Sequence, residues 1–293
     1  MNTDRAAILV TTDGSAHSRR ILPHADAFAR ARGSRLLLAE VLNAEEALKG
    51  TSEGRNALLA RATDQLLAEL RRVLESAGIN GEAVATVAKE EEGLFAEVIV
   101  RLAEEQGAGV IAMDTRGHGA LHHALLGSVA LDVLQRTVKP VMLSGPDLGT
   151  PPADGVPYRI LATNDGSPAS QDVLRALARE LVPGRFSVTL LRVVERPASG
   201  VNEAVVLQEA EAHLRSLFPI LPQGVEMAAK VREIARLGGV DTAIIEEAEL
   251  LGANAIAMST HGTSARRHLL AGSTALMLLG RSPLPVIMAR ARS

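Results

Sequence analysis

The chain contains no cysteine and no tryptophan, one tyrosine and four phenylalanines. Without cysteine there is no disulfide framework, no zinc ribbon and no thiol nucleophile. Aromatic residues make up 2% of the chain, so platforms for stacking single-stranded bases are scarce. A formal net charge of −3 provides no basic footprint for a nucleic-acid backbone. No stretch approaches the roughly 20 apolar residues of a membrane span. Asp4 and Arg5 precede an apolar run that is too short for the core of a secretory signal. The expectation is a soluble, cytoplasmic protein with neither nucleic-acid nor membrane partners.

Apolar residues make up 47% of the sequence, enough for cores built from Leu, Val, Ile and Ala, and 293 residues suit two domains of ordinary size. Ile8-Leu9-Val10 reads as a strand ending in the turn Thr12-Asp13-Gly14-Ser15. From Ser18 onward, Ile21, Leu22, Ala25, Phe28 and Ala29 share a helical face that Gly33 stops. Leu36 to Leu42 is a nearly continuous apolar run, as expected of a parallel strand buried on both faces. Leu59, Ala62, Leu66, Leu70, Val73 and Leu74 mark a long amphipathic helix, and 84–88 a third strand. A helix over 94–106 precedes the buried strand 110–113. A long loop then leads to a helix near Ser128 and a last strand, Val141-Met142-Leu143. Alternating strands and helices predict a parallel sheet with right-handed crossovers.

After a segment rich in proline and glycine, the pattern restarts. Asp165-Gly166-Ser167 repeats Asp13-Gly14-Ser15 at an offset of 152, which still holds at Val41 and Val193. By Gly107 and Gly252 the offset is 145, so the second copy lacks seven residues, most simply around the long helix. One register linking matching motifs through dissimilar stretches is the signature of internal duplication. The expected organisation is a first domain over 1–145, a linker over 146–157 and a second domain over 158–293. The last strands, 141–143 and 286–288, are sheet-edge candidates that must be paired or covered, and they are expected to pair with each other.

In an open α/β sheet a ligand lies outside the carboxyl ends of the strands, where strand order reverses. In each copy the turn after strand 1 and the glycine loop after strand 4 qualify. Each loop places nine residues between an inner glycine (Gly117, Gly262) and a Gly-Ser pair (Gly127-Ser128, Gly272-Ser273). The pair marks a helix start, with Ser128 expected as N-cap, and free N–H groups there suit an anion. Asp13 and Asp165 are open to two readings, an Asx-turn within the chain or a partner for a ribose, a base edge or a phosphate-bound metal. Val41 and Val193 read as core residues whose backbone lines a base pocket.

These residues resemble the universal stress protein family, whose nucleotide-binding members carry the strand-1 aspartate and a loop of Gly-x-x-Gly, nine residues and Gly-Ser/Thr. The resemblance covers nearly the whole chain as two tandem copies. It implies two tandem doubly wound α/β domains of Rossmann-like fold with strand order 3-2-1-4-5. It further implies ATP, with or without Mg2+, as cofactor, pairing of the copies as an intramolecular pseudo-dimer, and possible further association into a homodimer. Carried over, the first site is Asp13, Val41, Gly117, Gly127, Ser128 and Val129. The second is Asp165, Val193, Gly262, Gly272, Ser273 and Thr274. Both copies depart from the pattern at its first glycine, with Asp114 in one and Ser259 in the other. A carboxylate facing a phosphate at 4 Å costs about 1 kcal/mol in water and about 4 at an effective dielectric of 20. The second copy is therefore expected to bind ATP better.

Other charged groups read more plainly. His118, His122 and His123 lack a carboxylate or cysteine at ligand spacing and read as solvated loop residues. Glu90-Glu91-Glu92 is a polar loop and Arg266-Arg267-His268 a solvated face. No general base stands beside a nucleophile and no Walker lysine follows the glycines, so the expected role is regulatory binding with at most slow ATP hydrolysis. The alternative is an interaction module of the same fold that no longer binds nucleotide.

Overall fold

The computed structural model describes residues 5–45, 54–88, 95–115, 126–153, 157–196, 202–235, 239–260 and 272–290. Contacts divide the chain into two compact units, Met1–Thr137 and Val138–Ser293. The first holds β1 (Ala7–Thr12), β2 (Leu36–Asn43), β3 (Glu82–Ala88) and β4 (Ala108–Asp114). They run parallel in the order β3-β2-β1-β4. Ile8, Leu9, Val10, Leu37, Leu38 and Ile111 are wholly buried, which is why these strands read as unbroken apolar runs. The helices are α1 (Leu22–Arg32), α2 (Arg55–Ser76), α3 (Phe95–Glu105) and α4 (Ser128–Arg136). On α2, Leu66, Leu70 and Leu74, four residues apart, are buried on one face.

The second unit holds β5 (Val141–Ser144), β6 (Tyr158–Thr163), β7 (Phe186–Glu195), β8 (Glu226–Ile234), β9 (Ala255–Ser259) and β10 (Val286–Ala289). The order β8-β7-β6-β9-β10 is the expected 3-2-1-4-5, all parallel. Beyond it, β5 lies antiparallel to β10, with Leu143 opposite Val286 and Val141 opposite Met288. The two last strands therefore pair with each other. The helices are α5 (Pro168–Ala178), α6 (Glu203–Ser216), α7 (Val240–Leu250) and α8 (Ser273–Arg281). The second helix, with 14 residues in α6 against 22 in α2, is shorter by one residue more than the net loss of seven. No helix among the described residues is long and apolar enough to cross a membrane.

Tyr158, the only tyrosine, opens β6 at 2% exposure, and its ring centroid lies 5.7 Å from that of Phe186. Burial disfavours the phenolate and pushes the pKa well above the ordinary value of 10.0. A raised acid pKa contributes stability that is present below pH 10.0 and is lost as pH rises toward the folded value. The expected result is that phenolate absorbance appears only together with alkaline unfolding. Ionisation near pH 10 in a chain whose circular dichroism is still native would contradict the burial.

Candidate functional site

The turn after strand 1 has the same construction in both copies. In the first, Asp13 Oδ1 accepts from the Ser15 N–H at 3.1 Å and from its hydroxyl at 2.7 Å. The Gly14 N–H donates to Thr12 Oγ1 at 3.0 Å. In the second, Asp165 Oδ1 accepts from the Ser167 N–H and Asn164 Oδ1 from the Gly166 N–H, each at 3.0 Å. Gly14 and Gly166 have φ of 81° and 86°, in the left-handed region where a Cβ is strained. Ser15 and Ser167 then accept from the N–H three residues on, at 3.0 and 3.2 Å. One oxygen of each aspartate is thus committed to an Asx-turn.

The glycine loops also close alike. The Gly127 N–H donates to the Thr115 carbonyl at 2.6 Å, and the Gly272 N–H donates to that of Thr260 at 2.8 Å. The bond ties each helix start to the end of β4 or β9. A Cβ on Gly127 would stand 2.9 Å from the Thr115 oxygen, whereas on Gly272 the nearest atom is 3.8 Å away. The approach of Gly127 to Thr115 is therefore the tighter of the two. Gly127 and Gly272 are themselves the N-caps, with extended backbone and no side-chain capping bond. This corrects the expectation for Ser128, which is the first helical residue. Its hydroxyl follows the cap instead of supplying it, because glycine is accepted at that position. The leading N–H groups of Ser128 and Val129, and of Ser273 and Thr274, belong to the first turn, where a helix has no internal acceptors. Such a turn favours anions. Gly117, Gly262, Arg116, the three histidines, the 90–92 glutamates and Arg266-Arg267-His268 lie outside the described residues.

Val41 and Val193 lie near the carboxyl ends of β2 and β7 and are half-buried, opposite Thr86 and Arg232 on the next strand. They are less enclosed than core residues because the strand here is running out of the sheet.

The copies differ at four positions around these turns, at three of them in ionisable groups. Asp114, at the carboxyl end of β4, has a side chain only 1% exposed, and its Oδ1 lies 3.3 Å from His17 Nε2. The contact lacks hydrogen-bond alignment. Ala169 and Ser259 occupy the corresponding positions of the second copy, so carboxylate and imidazole are replaced together. Near the end of β2, a Cβ on Gly14 would lie 3.4 Å from Glu40 Oε1. At the end of β7, a Cβ on Gly166 would lie 3.4 Å from both terminal nitrogens of Arg192. Glu40 and Arg192 occupy the same position, 152 residues apart, with opposite charge. Finally, Asn164 stands in the place of Thr12. Sequence reading passed over His17, Glu40, Arg192 and Asn164. Of these, only Glu40 and Arg192 carry a signal in the sequence, a reversal of sign at a fixed offset.

The family model described as the universal stress protein family matches this chain twice, over residues 5–144 and 158–290. The universal stress protein MJ0577 of Methanocaldococcus jannaschii is 27% identical over 154 residues, covering 46% of this chain and 92% of that protein. A universal stress protein of Thermus aquaticus, from the region 3′ of a QAH/OAS sulfhydrylase, is 32% identical over 142 residues, or 46% and 96%. The crystal structure of a universal stress protein from Archaeoglobus fulgidus superposes with a TM-score of 0.63 at 22% identity, covering 97% and 98% of the two chains. That likeness concerns the fold.

Proposed function

The chain belongs to the universal stress protein family through both of its halves, and on that premise we propose that it is a stress-responsive regulatory protein binding an adenine nucleotide, ATP, chiefly in its second half. The observation that carries this reading is the start of α8. Its first turn has no side-chain cap, it is tied to β9 through the Thr260–Gly272 bond, and the neutral Ser259 stands where the first half has a carboxylate. A triphosphate laid across that turn would meet backbone donors and no buried negative charge. Gly262, Gly272, Ser273 and Thr274 hold the phosphates in this reading. Asp165 faces the ribose and Val193 lines the base. In the first half Asp13, Val41, Gly117, Gly127, Ser128 and Val129 form the weaker counterpart. Mg2+ would neutralise phosphate charge there without any protein group acting as nucleophile or general base, so turnover is at most slow. The domains run over 1–145 and 158–293 with a linker between, and the β5–β10 pairing supports an intramolecular pseudo-dimer of the two copies. Purified under native conditions and then denatured, the chain is expected to release an adenine nucleotide.

A second reading is an interaction module of the same fold without nucleotide. The buried Asp114, held against His17, favours it for the first half. Release of no nucleotide, together with no heat of binding on adding Mg-ATP, would make it the better account of the whole chain.

A further inference from the structure

The carboxyl end of β6 and β7 carries two side-chain donors that meet no acceptor among the described residues. Asn164 is 2% exposed, and its Nδ2 has no hydrogen-bond partner although its Oδ1 holds the Gly166 N–H. Arg192, half-buried one position past the Thr163–Leu191 pair, has neither hydrogen bond nor ion pair among the described residues. The two are neighbours along the sheet, since the Asn164 N–H donates to the Leu191 carbonyl at 2.8 Å. A buried donor left without an acceptor is costly unless a ligand supplies one, and the half-buried Arg192, whose nitrogens reach solvent, stands beside it to meet the same ligand. The first copy has no unmet donor at the corresponding position, and the Oε2 of its Glu40 is instead a buried acceptor without a hydrogen bond. Thr12 Oγ1 lies 2.7 Å from Ser18 Oγ and accepts from Gly14, and Glu40 brings acceptors where Arg192 brings donors.

In doubly wound folds that bind dinucleotides, an acidic group beyond strand 2 accepts from the ribose hydroxyls, and an arginine there takes a ribose phosphate instead. Glu40 and Arg192 lie near the carboxyl end of the corresponding strand, one in each half. The donors also lie on the strand-2 side of the Asp-Gly-Ser turn, away from the α8 start that the phosphate chain would occupy. Resting on the nucleotide reading above, we propose that Arg192 and Asn164 make the second half selective for a nucleotide carrying a phosphate on its ribose as well as at its 5′ end. Glu40 makes the first half refuse one. The guanidinium offers two parallel donors to phosphate oxygens, a geometry that a lysine does not reproduce.

The test is calorimetry on the full chain with AMP, adenosine 2′,5′-bisphosphate and adenosine 3′,5′-bisphosphate, the two bisphosphates separating the ribose positions. The quantity read is the affinity for a bisphosphate relative to AMP. The wild-type chain is expected to prefer one bisphosphate by about tenfold, the size of one charge-assisted contact. Arg192→Lys should keep part of that preference and Arg192→Glu should abolish or invert it, with thermal melts confirming that both variants fold. Equal affinity for AMP and both bisphosphates, or a preference that survives Arg192→Glu, overturns the proposal and leaves nucleotide binding standing. Absence of binding by all three and by ATP removes the nucleotide reading, and the proposal falls with it.

Discussion

Replacing Gly145 by alanine will destabilise the protein by about 3 kcal/mol, at the upper end of what overpacking costs. A Cβ at this position would overlap the carbonyl oxygen of Leu279, inside α8. The obstacle is helical backbone, so it cannot rotate away as the end of a side chain would. The residues that follow are fastened as well. Leu148 is 7% exposed, the Gly149 N–H donates to the Pro283 carbonyl at 2.8 Å, and a Cβ on Gly149 would lie 3.1 Å from that same oxygen. For a unit of this size the expected fall in melting temperature is roughly 6–12 °C, measured by calorimetric melting or by denaturant midpoint. A variant melting within a degree of the wild type would show that the segment can lift off at little cost.

The second large effect is electrostatic. Converting Ser259 to aspartate gives the second half the charge that the first carries at Asp114. If a phosphate binds beside it, ATP affinity should fall by roughly fivefold to a thousandfold, the range set by a repulsion at 4 Å between water and an effective dielectric of 20. The reciprocal change needs two substitutions. Asp114→Ser alone would leave His17 without its neighbour, whereas adding His17→Ala recreates the Ala169/Ser259 pair of the second half. Titration of the full chain with ATP should then show a gain at the first site. Unchanged ATP affinity in Ser259→Asp would mean that no phosphate lies near β9, and the helix-start reading would have to be abandoned.

Much of the fold was legible because parallel strands buried on both faces leave unbroken apolar runs, as at Ile8-Leu9-Val10 and Val110-Ile111-Ala112. The second helix stood out through Leu66, Leu70 and Leu74. Duplication then converted one reading into two, because the motifs around Gly14 and Gly127 recur in the same order at Gly166 and Gly272, at offsets of 152 and 145. Less visible was anything that depends on which atoms meet. Gly127 takes the cap position from Ser128 because the chain must approach the Thr115 carbonyl at a distance no side chain tolerates. The His17–Asp114 contact joins residues far apart in sequence, so neither alone carries a signal. Glu40 and Arg192 looked like ordinary polar residues near strand ends until the turn glycines showed what they face. At the aspartates, composition left the choice between turn and ligand open, and the hydrogen bonds assign one oxygen to the turn.

The antiparallel seam between Val141–Ser144 and Val286–Ala289 has a practical consequence for anyone dividing this chain. A fragment beginning at Tyr158 would carry the whole second sheet but leave one flank of β10 bare. All four of that strand's residues are buried in the intact protein. Such a raw margin recruits whatever strand it meets, so the fragment should self-associate or precipitate. A fragment beginning at Val138 keeps β5 over that flank of β10.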